Sequence, residues 1–259
     1  MRNYRDLLIG LCFIQSLLIS ASVFGQEANY AVQVDSVRIV MQDMPASERL
    51  NYLAELARKQ SVSPDYRQYI RLYEIEARKQ HDDAHLIKAL AMLGRSYYPE
   101  NSDSMLIFKQ QVEPLAQKNK DYAAYLDLFG MYNYALIWQG RKDGVEESVR
   151  EYRELAMELG NVGAMELADQ NMAYFYFMNN MPVEAEKLYL EALHSKEKRG
   201  AEIAGQVGIL VQLFNNLPQV DKRKMYLQQA IELIDRYKNG TEKDPNSDQL
   251  IVAHEYSVH

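Results

Sequence analysis

The sequence predicts an all-α fold, a solenoid of antiparallel helix pairs, and three observations carry that expectation. Apolar residues recur at i, i+3, i+4 and i+7, helix-stop glycines return at a fixed interval, and one short pattern comes back a repeat length later. Composition agrees. Of 259 residues, 47% are hydrophobic and 25% charged, as in a folded soluble chain, whereas 12 Gly and 7 Pro are too few for a turn-dense β sandwich. The formal charge of −7 has the wrong sign for a grip on phosphate backbones, so nucleic acid is excluded as a partner.

Residues 1–25 read as an export signal. Arg2 and Arg5 give a basic start, residues 7–21 an apolar stretch broken by Gln15 and Ser16, and Val23-Phe24-Gly25 a cleavage site ending at Gly25. The stretch falls short of the roughly 20 apolar residues that span a bilayer. Export to the periplasm is the expectation, with an uncleaved inner-membrane anchor as the alternative, and no membrane span is expected in the mature chain. Cys12 follows Leu11, where a lipoprotein signal wants a small residue, so a lipid anchor is disfavoured. Cleavage would remove the only cysteine, leaving an acidic chain without disulfides that must hold itself by core burial.

Residues 26–82 form an N-terminal helical segment. Leu50, Leu53, Ala54 and Ala57 share one helical face, and Ser63-Pro64 supplies a capping hydroxyl before a proline suited to a first turn. Asp82 or Asp83 can cap the next helix. His81 and His85, four apart with carboxylates between them, could share a metal; the simpler reading is a helix corner with an Asp cap and solvated histidines, and no metal is expected.

Residues 83–240 are read as helix-pair repeats. Ile87, Leu90, Ala91 and Gly94, then Ala185, Leu188, Tyr189 and Ala192, then Leu227, Ala230, Ile231 and Ile234 each repeat the facial spacing. Gly160, Gly200 and Gly240 mark helix ends at intervals of 40 residues. Gln170 with Asn179-Asn180-Met181-Pro182 recurs 36 residues on as Gln206 with Asn215-Asn216-Leu217-Pro218, and Lys187-Leu188-Tyr189-Leu190 matches Lys224-Met225-Tyr226-Leu227. A helix pair repeated at this period cannot bury its apolar face alone, so neighbours must stack. Pro114 predicts a kink in its helix. Glu146, Glu147, Glu151, Glu154 and Glu158, interleaved with Arg150 and Arg153, predict a solvated face with i,i+4 pairs rather than catalytic carboxylates.

Met172-Ala173, Tyr176, Ala185, Tyr189 and Ala192 resemble the small-residue and aromatic signature of a tetratricopeptide repeat, best matched over residues 168–194. Leu93-Gly94 with Tyr97, Leu136 with Gly140, Ser148 and Tyr152, and a last unit near 203–238 with Arg223 in place of an alanine resemble degenerate copies. The resemblance implies a right-handed superhelix whose first helices, the A helices, line a concave groove. In that register the groove residues are Arg95 and Tyr98, then Tyr134, Ile137 and Trp138, then Gln170, Tyr174, Phe177 and Met178. Each has the competing reading of inter-repeat core. Trp138, the only tryptophan, is the strongest groove candidate.

The export signal, acidic helical repeats and residues 106–118 together resemble the extracytoplasmic sensor regions of Bacteroidetes two-component histidine kinases. That resemblance implies a protein-interaction or ligand-sensing module with a protein or peptide in the groove. An exported helical hydrolase and an envelope-assembly adaptor are the alternatives. No phosphate-binding loop and no nucleophile elbow is present, so no catalytic residue and no cofactor are expected in this chain. His254, Glu255 and His259 superficially resemble a zinc helix, but a five-residue step puts the histidines on different faces. Residues 241–259, with Ala253 and Tyr256 at helical spacing, read as the start of a further helix without its partner. Such an end fits a piece of a longer protein, a helix that packs back, or pairing with a second copy.

Overall fold

The computed structural model describes residues 27–59, 66–200 and 203–240; the expected export signal, the Ser63-Pro64 cap and the expected helix in 241–259 lie outside them. Among the described residues there are eleven helices and no strand, so the chain is all-helical. They fall into two compact units, one ending at Ser96 and the other beginning at Tyr97.

The first unit holds α1 (Glu27–Asp43), α2 (Ala46–Lys59), α3 (Tyr66–Lys79) and α4 (Asp83–Arg95), with α2 packed on α3 and α3 on α4. Leu50, Leu53 and Ala57 are buried as their spacing requires, and so are Ile87, Leu90, Ala91 and Gly94. Asp82 caps α4, its carboxylate accepting from the His85 amide at 2.9 Å. The corner reading had both histidines solvated; His81 is exposed, whereas His85 is half-buried. Its Nδ1 lies 2.6 Å from the Tyr73 hydroxyl, and the two rings meet edge to face with centroids 5.6 Å apart.

The second unit holds α5 (Ser102–Asn119), α6 (Ala123–Trp138), α7 (Val145–Glu158), α8 (Val162–Met178), α9 (Pro182–Lys198), α10 (Ile203–Asn216) and α11 (Val220–Asn239). Each helix packs on the next, and α6 also packs on α8. The corners are sharp because their residues adopt left-handed backbone. Gly140, Gly160 and Gly200 have φ of 71°, 64° and 65°, and Asn180 takes the same role at 60°. Gly240 ends α11 differently, in extended backbone with φ −77°, so it is a stop without a left-handed turn. α5 runs through Pro114, at an exposed position, where the proline removes the amide that would have bonded one turn back and its ring crowds the carbonyl of that turn.

Tyrosines organise the core. Tyr152, Tyr189 and Tyr226 recur every 37 residues in α7, α9 and α11, and all three are buried. Ala185 and Ala192 flank Tyr189, leaving room for neighbouring helices to approach. Gly130 does the same for α6. A Cβ there would stand 2.6 Å from Leu167 Cδ2 and 2.9 Å from the Tyr152 hydroxyl. Two buried asparagines, Asn133 and Asn171, tie the crossings: Ser148 Oγ donates to Asn133 Oδ1 at 2.7 Å, and Asn171 Nδ2 donates to the Gly130 carbonyl at 2.9 Å.

Candidate functional site

Helical phase decides which aromatics of the second unit go inward and which stay accessible. On α6, Tyr125, Leu128, Phe129 and Ile137 are buried, while Tyr134 is half-buried and Trp138, one turn on, is 50% exposed. On α8, Tyr174 and Phe177 are half-buried and Met178 is 44% exposed. Ile137, expected in the groove by its register, is core: it lies three residues after Tyr134 and points into the helix packing.

The half-buried tyrosines form one row. The Tyr98 and Tyr134 rings stand 6.0 Å apart, Tyr134 and Tyr174 are stacked at 4.9 Å and 11°, and Tyr174 and Phe177 follow at 6.5 Å and 17°. The row crosses from the segment before α5, over α6, to α8. Tyr134 and Tyr174 meet because α6 and α8 pack directly, and Trp138 and Met178 sit one turn beyond them on the same two helices. Tyr98 lies outside any helix and is held by Gln139. Its amide nitrogen donates to the Pro99 carbonyl at 2.7 Å and its oxygen accepts from Ser102 Oγ at 2.7 Å. Arg141 and Asp103, paired at 2.7 Å, brace the same junction.

Burial pushes the Tyr98 phenol up to about 12, with the Tyr134 and Tyr174 phenols and Glu100 adding to it. Tyr174 is pushed to about 12 by burial and by Tyr134, and Tyr134 is raised by burial. All three are neutral at physiological pH. They are hydroxyl donors and acceptors attached to rigid apolar bodies. The sequence around Tyr134 and Tyr174 is also neutral, with no charged residue in 128–140 or in 170–183, whereas Tyr98 has Glu100 two residues on. Charge is concentrated instead on α7, α9 and α11, where Arg150 pairs with Glu146 and Glu147 as expected and Arg153 reaches Asp169 of α8 at 2.7 Å.

Of the residues expected in the groove, Tyr98, Tyr134, Tyr174 and Phe177 are thus brought into one row. Gln170, half-buried, donates to the Glu166 carbonyl one turn back on α8. Arg95 belongs to the first unit, at the exposed end of α4.

Three features escape sequence reasoning. The first is Gln139. The second is Glu166, a buried carboxylate that accepts from Ser195 Oγ at 2.8 Å, Lys196 Nζ at 3.1 Å and Arg199 Nη2 at 2.8 Å. Burial pushes it up, but the hydrogen bonds from Arg199, Ser195 and Lys196 outweigh that and hold it below the usual carboxylate range. Its oxygens are committed to clamping α9 against α8. The third is a pair of concavities. A cleft of about 430 Å³ between α7 and α9 is floored by Val149, Met172, Tyr176 and Leu188 on α7, α8 and α9, and a smaller one of about 260 Å³ lies between the α8–α9 and α10–α11 corners. Among the described residues no helix is long and apolar enough to cross a membrane, and no group of three or more His, Cys, Asp or Glu is placed to hold a metal ion. Compared with known proteins, the chain matches no family model, and no curated protein matches it significantly.

Proposed function

We propose that the chain is a binding module of the tetratricopeptide type, a right-handed solenoid of helix pairs that takes a protein or peptide segment on its A helices. The row Tyr98–Tyr134–Tyr174–Phe177 is the observation that carries this reading. Rings from a connecting segment and from two helices that are not neighbours in sequence converge on one neutral strip, bordered by the exposed Trp138 and Met178. Aromatic bodies with polar tips are what binding surfaces favour, since they offer large contact area with few rotatable bonds. The stacking of consecutive helices and the 37-residue tyrosine interval support the repeat reading. In this proposal the module is exported and works as the sensor part of a two-component signalling protein, a role that rests on the signal-like residues 1–25 and the acidic repeats. Occupancy of the groove would be passed along the stack, and no catalytic step is required.

Trp138 provides its own test, because it is the only tryptophan and is half-exposed. Peptides selected from a random display library against the 259-residue chain should shift the Trp138 emission to the blue on titration, and Trp138→Ala should weaken their binding about tenfold while leaving helical content unchanged. Selected peptides that bind a folded Trp138→Ala chain as tightly as wild type, with no change in wild-type emission, would remove the groove from the account.

A further inference from the structure

The row does not stop at Phe177. Its ring lines the 260 Å³ cleft between the two corners, together with Asn180, Pro182, Asn215, Leu217 and Pro218. These corners are the two copies of the repeated Asn-Asn-x-Pro pattern, so the fold sets a duplicated motif edge to edge at the end of the aromatic row. We infer that this cleft is an anchor subsite for a single aromatic side chain of an uncharged, extended peptide, with the Asn180 and Asn215 amides bonding the peptide backbone on either side.

Size, polarity and charge support this choice. The volume corresponds to about nine waters, which is room for one phenol- or indole-sized side chain and not for a folded element. Phe177, Pro182, Leu217 and Pro218 give it an apolar wall. A sugar ring would need hydrogen-bond partners around its whole rim, and here the amides are few. Asn216 Nδ2 already donates to Gln212 Oε1 at 3.0 Å and to the Tyr189 hydroxyl at 3.4 Å, which uses both of its N–H groups. Asn180 and Asn215 are both exposed and both line the cleft. No Asp, Glu, Lys or Arg lines the cleft, and Arg223, at its α10 end, is already engaged, its Nε donating to the Phe214 carbonyl at 2.8 Å, so a charge beside the anchor finds no counter-charge among the lining residues. Neutral residues next to the anchor follow from that, and acidic partners are further disfavoured by the chain's net charge of −7.

The inference rests on the peptide-binding reading above, and its test separates the two. Selection from the display library should enrich peptides with one Trp, Tyr or Phe and no charged residue within two positions of it. Asn180→Gly keeps the left-handed corner, since glycine is at ease at φ 60°, and Asn215→Ala alters an exposed position, so both variants should fold. Each should weaken the selected peptides about tenfold, and replacing the peptide's aromatic residue by alanine should abolish binding. If Trp138→Ala weakens binding while Asn180→Gly and Asn215→Ala bind as wild type, the groove stands and the cleft falls. Enriched peptides that lack an aromatic, or that carry charges beside it, overturn the inference. So does competition by neutral oligosaccharides such as maltohexaose or cellohexaose that is lost in Asn180→Gly, which would make the cleft a glycan site.

Discussion

Glu166 is the residue whose chemistry is most committed. Its carboxylate is buried, and three donors from the C-terminal end of α9 converge on it. A buried charge is tolerated only when it is paired and hydrogen-bonded, and removing the charge leaves Lys196 and Arg199 without their counter-charge. Glu166→Gln keeps the shape and should cost about 1–3 kcal/mol of stability at pH 7 in chemical denaturation. The pH dependence fixes the sign. Because the folded carboxyl is held below its ordinary value of 4.5, its contribution is fully present above that value and is lost as pH falls through the lower, folded one. The gap between wild type and Glu166→Gln should therefore close on acidification below pH 4.5. A gap that stays constant down to pH 3 would mean that the carboxylate contributes packing only. Nothing in the sequence marks this acid out. Glu166 follows Met165 in a run that also holds Asp169, and only the return of α9 thirty residues later shows which of the two is buried.

At the scale of the helix, the crossings depend on small residues. Gly130 lets α7 and α8 approach α6, and a methyl group there meets Leu167 and the buried Tyr152 ring system. Gly130→Ala should cost about 1–3 kcal/mol by overpacking, even though alanine is the better helix former. The comparison is Gly163, in the first turn of α8, where an added Cβ has only the Asn161 side chain nearby at 3.6 Å and Gly→Ala should be neutral or stabilising. Equal effects at the two positions, read as denaturation midpoints, would contradict the assigned helix packing. Elements of this kind are largely legible in sequence. The i, i+3, i+4, i+7 spacing located the buried faces of α2, α4 and α9, and the glycines at 160 and 200 located the corners after α7 and α9, because periodicity and left-handed backbone are local properties. Gly240 shows the limit. It ends a helix as expected but in extended backbone, which glycine adopts as readily as the left-handed one.

At the scale of the molecule, the chain separates its chemistry. In the second unit charge gathers on α7, α9 and α11, paired within and between helices, while α10 stays neutral and the C-terminal ends of α6 and α8 stay neutral and aromatic. That separation is partly legible: the repeat register picks out Tyr134, Trp138, Tyr174, Phe177 and Met178 as one face, and the packing of α6 on α8 brings the two sets of rings side by side. Ile137 fails because it sits on the inward side of α6, three residues from Tyr134, where a register set by degenerate repeats is easily misjudged. Tyr98's neighbours were not legible, since it sits outside any helix and is positioned by Gln139, 41 residues away. The central claim is that the neutral aromatic strip, and not a charged helix face, is the binding surface. Amide hydrogen exchange of the 259-residue chain with and without a selected peptide tests it most directly. The account predicts added protection confined to residues 97–101, 131–140, 174–183 and 213–218. Protection confined to α7 and α9, beside the larger cleft, would contradict it.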